Sequence, residues 1–360
     1  MRVLFVESAD GWTGGVRAFF AAGRALAARS HEVAFACPPG SALERFAAAA
    51  AIPVYPVDEP RTWPRARAVR SAIEAHFADV VFAQDTETHV AAALAARRTA
   101  HTAVVRRIPA GAVFPSDRAT RWAERLAPAA YLVTAPTGGA DAIPTVPTIH
   151  ATVGVDPLPP RDDRGPGGPP ALDGETGLHL ACLTTDDDAP RALEVLRTLR
   201  LLAERHPRCR LTMIGIVRRR DECRVLAAAM GVADRVQWVA GHGERADALT
   251  GATVAWVLAG GDAEAFACLD AMARGLPVLA PRSPVIERYV DEEAQGTLFG
   301  TLRPPSMAAA VERLLAQPER RARVSRAARA RISGELTELA MASAFEHAAR
   351  LAHSRERKRP

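Results

Sequence analysis

The chain has 360 residues, a length suited to two or three domains, and at 48% hydrophobic it can fill cores of that size. No run approaches the roughly 20 apolar residues that span a bilayer, and the opening MRVLFVES meets Glu7 too early to be a secretory signal. The net charge of +5 is modest, and the basic residues form no aromatic-interleaved patch, which argues against nucleic acid as the partner.

Residues 2–8 read as a first strand, with Arg2-Val3-Leu4-Phe5-Val6 at its centre. A loop follows, Ala9 to Gly15, and then a helix from Val16 to Ala28 with apolar residues at 16, 19, 20 and 26. His31 to Ala36 is strand two, so the chain opens with a βαβ unit whose turn carries Gly14-Gly15. That pair is not the dinucleotide fingerprint G-x-G-x-x-G, and the demands of a tight turn account for it equally well. A helix over 42–50, a short strand over 53–57, a helix over 64–76 and a strand over 78–83 come next. Thr102 to Val105 is another strand, running into Arg106-Arg107. Two arginines at a strand end are either solvated or placed where a parallel sheet binds anions. A helix near 116–127 leads to a strand over 130–134, and Thr148 to Asp156 ends this half.

Residues 157–174 are dense in proline and glycine and lack apolar periodicity, which marks a stiff hinge between domains 1–156 and 175–334. Gly177 to Leu183 opens the second half as a strand. Asp188 can cap a helix reaching Arg205, with Pro190 and Arg191 in its first turn. The aspartates at 186–188 favour that helix terminus electrostatically, and they also permit a metal-site reading. Strands follow over 210–215 and 235–241, with a helix over 221–230 between them. Arg218-Arg219-Arg220 reads as a solvated turn or as a phosphate contact.

The stretch Ala252 to Ala280 is the most informative. Val254 to Leu258 has the length and branching of a buried strand. Gly260-Gly261 and a loop with Asp262 and Glu264 precede a helix whose buried stripe is Phe266, Leu269 and Met272. Arg274-Gly275 closes the helix, Pro277 bars its continuation, and Val278-Leu279-Ala280 is the next strand. The loop sits where an open α/β sheet takes its ligand, at a strand's carboxyl end and a helix N-terminus. Helices over 305–316, 318–332 and about 335–353 complete the chain, followed by the basic tail Ser354 to Arg359. A solvated tail is the first reading of that end, and contact with an anionic membrane surface the second. Five scattered cysteines favour reduced thiols in a cytoplasmic setting, and Lys358 is the only lysine, so no mechanism can use one in the folded body.

The 252–280 stretch resembles the core motif of family-four glycosyltransferases, approximately A-D-V-F-V-L-P-S-x-x-E-G-F-G-L-x-x-x-E-A-M-A-x-G-x-P-V. The match is ungapped and retains Ala271-Met272-Ala273, Gly275, Pro277 and Val278. The resemblance implies the GT-B fold: two Rossmann-like parallel-sheet domains facing a central cleft, with the last helix, about 335–360, crossing back to the first domain. It also implies transfer of a sugar from a nucleotide-sugar donor to an acceptor hydroxyl, with retention and without metal or other cofactor. Asp262 falls on the acid associated with the donor sugar and is the catalytic candidate; Asp270 falls on the acid associated with the ribose. Amides at Glu264, Ala265 and Phe266 would face sugar or phosphate, with Gly215 and Arg191 completing the donor site. On the acceptor side the resemblance points to Gly14, Gly15 and Arg17, and the anion-binding position at the strand end adds Arg106.

The pattern also departs from the family. Both acids are one methylene shorter, Ala263 and Ala265 replace glycines, and Cys182 and Asp187 stand where a cationic pair neutralises the leaving diphosphate. Phe82 and Gln84 occupy two histidine positions. Two readings result: a transferase of polysaccharide or glycolipid assembly with an altered donor site, or a GT-B protein that binds or partners an active transferase.

Overall fold

The computed structural model describes residues 1–99, 101–114, 117–127, 130–134, 147–157, 177–184, 189–215, 220–239, 248–292 and 294–358. The chain divides into two compact units, Met1–Gly154 with Glu338–Pro360, and Val155–Thr337.

Unit 1 alternates strands and helices: β1 (Arg2–Val6), α1 (Gly14–Ala28), β2 (Glu32–Cys37), α2 (Ala42–Ala49), β3 (Val54–Pro56), α3 (Thr62–His76) and β4 (Val80–Ala83). It continues through α4 (Thr86–Ala96), β5 (Ala103–Ile108), α5 (Arg118–Leu126), β6 (Ala130–Val133) and β7 (Thr148–His150). All pairings are parallel, in the order β3-β2-β1-β4-β5-β6-β7, so the order reverses between β1 and β4. Strands buried on both faces are apolar throughout, as Val3 to Val6 and Val80 to Ala83 are. On one face Leu4, Val6 and Val81 pack with α3, α4 and α5 through Val69, Ile73, Val90 and Ala123. On the other, the Phe5 ring lies 5.1 Å from Phe19, 5.5 Å from Phe35 and 5.0 Å from Phe82.

That aromatic cluster is closed by Phe345, 5.3 Å from Phe82, on the final helix α12 (Glu338–Glu356). The last helix thus belongs to unit 1, and it runs to Glu356, beyond the end expected at 353. α4 has no counterpart in the sequence reading. Its alanines are buried on nearly every side, so it shows no apolar stripe.

Unit 2 contains β8 (His179–Leu183), α6 (Ala189–Arg205), β9 (Arg210–Ile214), α7 (Arg220–Ala229), β10 (Val236–Val239), β11 (Val254–Val257) and α8 (Gly261–Ala273). β12 (Val278–Pro281), α9 (Pro284–Tyr289), β13 (Gly296–Phe299), α10 (Pro304–Ala316) and α11 (Pro318–Gly334) follow. Its sheet is also parallel, in the order β10-β9-β8-β11-β12-β13, and reverses between β8 and β11. Trp256, Leu180 and Cys182 share one buried face with Leu196, Leu199 and Val311. Most of the hinge, 158–174, lies outside the described residues, as do Asp186, Asp187, Asp188, Arg218 and Arg219.

Candidate active site

Open parallel sheets bind ligands at the carboxyl ends of the strands where strand order reverses. In unit 2 that place is the end of β8 and β11, which pair from Val254↔Leu180 to Val257↔Leu183. The Leu258 amide extends the pairing to the Leu183 carbonyl at 2.8 Å. The chain then turns at Ala259-Gly260, and α8 begins at once.

α8 starts at Gly261, whose φ of +59° suits glycine. Gly260 is the N-cap and supplies no capping side chain. Asp262 and Glu264 therefore stand in the first helical turn rather than in a loop. This corrects one expectation about the amides. The Glu264 amide donates to the Gly260 carbonyl at 3.3 Å, and those of Ala265 and Phe266 lie deeper in the helical ladder. The groups without an intrahelical acceptor are the first three, at Gly261, Asp262 and Ala263. The side chains of Ala265 and Phe266 are buried in the core.

Asp262 and Glu264 are also buried, and Ser283 donates from its hydroxyl to Glu264 Oε2 at 3.1 Å. The same Ser283 oxygen caps α9 by accepting from the Ile286 amide at 3.1 Å. Asp270 is half-buried two turns further along. Together with Glu264 it raises the Cys268 thiol pKa, after burial itself, which is the larger cause. Gly215 ends β9 with φ of +117°, and a Cβ there would lie 2.3 Å from the Thr184 carbonyl oxygen at the end of β8. Arg191 is exposed in the first turn of α6, the helix that follows β8.

In unit 1 the reversal lies between β1 and β4. Thr13 caps α1, accepting from the Val16 amide at 3.2 Å, so Gly14, Gly15 and half-buried Arg17 occupy the first helical turn, two residues earlier than expected. Beside them the ends of three strands are linked. Glu7 follows β1 and is 2% exposed. Its Oε1 accepts from the amides of Ser8 at 2.9 Å and Ala9 at 3.0 Å. Its Oε2 accepts from the Gln84 side-chain amide. Gln84 Oε1 accepts from Arg107 at 3.0 Å. Burial pushes the Glu7 carboxyl up to about 7, against the lowering effect of the Ala9 and Ser8 amides.

Arg106 is placed differently from the expectation. β5 runs to Ile108, so both arginines lie within the strand and alternate across the sheet. Arg106 is buried and donates to Thr120 at 2.6 Å and Thr86 at 3.0 Å, with His89 Nδ1 at 3.1 Å. Burial, then the Arg106 charge, keeps His89 neutral by lowering its pKa to about 3. Arg106 thus ties α4 and α5 to β5, and its neighbour Arg107 joins the chain at the switch point. The sequence reading did not single out Glu7, and it took Arg107 only as a pair with Arg106. The available signals were an acid directly after an apolar strand and the period of two along β5. Among the described residues no group of three His, Cys, Asp or Glu side chains could hold a metal.

Residues 188–331 match the family described as Glycosyl transferases group 1, and residues 12–140 match Glycosyltransferase Family 4. The chain belongs to the family-four glycosyltransferases. No curated protein sequence matches this glycosyltransferase. Its fold is shared by HepE of Anabaena, solved in complex with UDP and glucose, at 13% identity and a TM-score of 0.75, over 96% of this chain and 98% of that one. Sucrose-phosphate synthase from Thermosynechococcus elongatus matches at 15% identity and a TM-score of 0.73, over 98% and 99%. WaaG, a glycosyltransferase involved in lipopolysaccharide biosynthesis, matches at 17% and 0.66, over 97% and 99%. At these identities the likeness speaks for the GT-B fold. Among the described residues of this transferase, no helix is long and apolar enough to cross a membrane.

Proposed function

We propose that this glycosyltransferase moves a sugar, with retention, from a nucleotide-sugar donor to an acceptor hydroxyl in the assembly of a polysaccharide or glycolipid. The observation that carries the reading is α8, which follows β11 directly where the strand order reverses and whose N-cap, Gly260, supplies no capping side chain. Departure of a nucleoside diphosphate leaves negative charge on a phosphate. The amides of Gly261, Asp262 and Ala263 take that charge, aided by the helix dipole. Asp262 accepts from donor-sugar hydroxyls. Asp270, eight residues on and therefore about 12 Å along the axis, accepts from the ribose diol. That separation suits a diphosphate lying between sugar and ribose. Arg191 supplies a cation at the same strand edge, and Gly215 keeps that edge clear of side-chain atoms. Gly14, Gly15 and Arg17 serve the acceptor side, with Arg107 in place of Arg106. HepE binding UDP supports a uridine donor by analogy.

The test is the thermal midpoint of the full chain with UDP, GDP, ADP and their hexose conjugates. A ligand at a hundred times its dissociation constant stabilises by about 2.7 kcal/mol, a shift of several degrees or less for a chain this long. The expected result is a shift with one base, lost in Asp270→Ala. No shift with any nucleotide would overturn the donor assignment.

A further inference from the structure

α11 begins at Pro318, and its N-cap, Gln317, makes no side-chain cap hydrogen bond. Proline has no amide hydrogen, and the Arg321 amide donates to the Gln317 carbonyl at 3.0 Å as the first bond of the helix. The amides of Glu319 and Arg320 therefore have no intrahelical acceptor. Arg321, in this same turn, is 6% exposed. Its Nε and Nη1 are buried and meet no acceptor among the described residues. Burial lowers its pKa, and no acid among the described residues offsets the effect. A buried cation without an acceptor is costly, so such an arginine marks the place of an anion. Helical side chains lean toward the N-terminus of their helix, which directs Arg321 to the uncapped end of α11.

That turn borders a cavity of about 220 Å³, lined by Arg320, by Ala310, Arg313 and Leu314 of α10, by Thr297 of β13 and by Glu292. The acids around it are largely engaged. Glu292 pairs with Arg282 at 2.5 Å, Glu312 with Arg205 at 2.6 Å and Asp291 with Arg331 at 2.6 Å. Glu319, exposed in the same turn, is the acid that opposes an anion here. Against it α11 carries arginines at 320, 321, 323, 326, 329 and 331. α11 also holds the C-terminal end of α8. The Ser325 hydroxyl donates to the Gly275 carbonyl at 2.5 Å, and Arg329 donates to the Arg274 carbonyl at 2.9 Å. The proposed donor position lies at the other end of α8, roughly 20 Å away along its axis, so one phosphate cannot serve both.

We propose that the first turn of α11 is a second anion site, which takes a free phosphate group between the guanidinium groups of Arg320 and Arg321 and the amides of Glu319 and Arg320. This goes beyond the donor assignment and stands independently of it.

The test is the thermal midpoint of the full chain in inorganic phosphate against potassium chloride of equal ionic strength. Phosphate is used at millimolar concentration, too dilute to act by exclusion from the protein surface. At saturation it should raise the midpoint by a few degrees. R321M should melt higher than the parent in chloride, because it removes a buried charge that has no acceptor, and should gain nothing further from phosphate. R320Q should lose most of the phosphate gain, and it carries the test if R321M fails to fold. Asp270→Ala should keep the phosphate response whether or not nucleotides bind at α8, so the two assignments fail separately. The proposal fails if phosphate acts no differently from chloride, or if both arginine variants respond as the parent does. It also fails if R321M melts lower than the parent in chloride, which would mean that Arg321 is already paired. Retention on phosphatidylglycerol vesicles that needs Arg321, without a response to inorganic phosphate, would assign the site to a lipid headgroup and overturn it as well.

Discussion

The Gln84 side-chain amide donates to the Glu7 carboxylate, and through it the end of β4 is fixed to the end of β1. Arg107 completes the chain from β5 by donating to the other end of the same amide. Gln84 thus has one orientation while Glu7 is ionised, with nitrogen toward Glu7 and oxygen toward Arg107. A protonated Glu7 no longer needs that nitrogen.

Glu7 gives stability a pH dependence of definite sign. Its carboxyl titrates near 7 in the folded chain, above the ordinary 4.5. Between those values the folded state holds a proton that the unfolded state has released. Stability therefore falls as pH rises from about 4.5 through about 7, by a total on the order of 3 kcal/mol. Urea unfolding at intervals across this range should show the decline, read as the difference between the parent and Glu7→Gln. Equal slopes in the two would refute the assignment. The Gln84–Arg107 contact should change over the same interval.

Gly15 makes room for this chain. A Cβ at position 15 would lie 2.4 Å from Gln84 Nε2 and 2.6 Å from Gln84 Oε1. Gln84 is held at both ends and cannot yield without breaking a hydrogen bond. Gly15→Ala is expected to cost about 1–3 kcal/mol and to reduce transfer activity. Gln84→Ala should remove most of the added penalty, so that the double variant is more stable than the two single costs predict. Additive costs in thermal unfolding would show that the two residues do not meet.

How much of this was legible beforehand follows from the kind of signal each residue leaves. The two parallel sheets were readable because doubly buried strands are apolar at every position, as Val254 to Val257 and Val80 to Ala83 are. α4 was not, because packing around Ala91, Ala92 and Ala95 erases the stripe that marks an amphipathic helix. The start of α8 was expected only after a loop carrying Asp262 and Glu264, which instead lie in its first turn. Gly260-Gly261 reads as a loop, whereas the positive φ of Gly261 lets the helix begin immediately. Asp262 and Asp270 were found through a sequence motif. Glu7 and Arg107 belong to a cluster assembled from positions far apart in sequence, and only the pairing of β1, β4 and β5 brings them together. Ending β5 at Val105 was an error of length. Once β5 extends to Ile108, alternation turns Arg106 toward α4 and α5.

The return of α12 to unit 1 rests on one carboxylate as well as on Phe345. Glu346 lies 2.9 Å from Arg29 and 3.3 Å from His31, and it also pairs with Arg350. Arg29 donates to Ser343 Oγ at 2.7 Å and to the Leu339 carbonyl at 3.0 Å, so the end of α1 grips α12 at several points. Burial by itself would raise the Glu346 pKa, but His31, Arg350 and Arg29 together hold it below the ordinary carboxylate range. A depressed acid contributes stability that is present above its unfolded pKa and is lost as pH falls through the folded value. Glu346→Gln should therefore lower the thermal midpoint at neutral pH and leave it nearly unchanged in strong acid. The pairs are partly solvated, so a loss of about 1 kcal/mol is expected, shrinking further at high salt. A midpoint difference that persists undiminished in acid would mean that packing of the Glu346 stem, rather than its charge, holds α12 to α1.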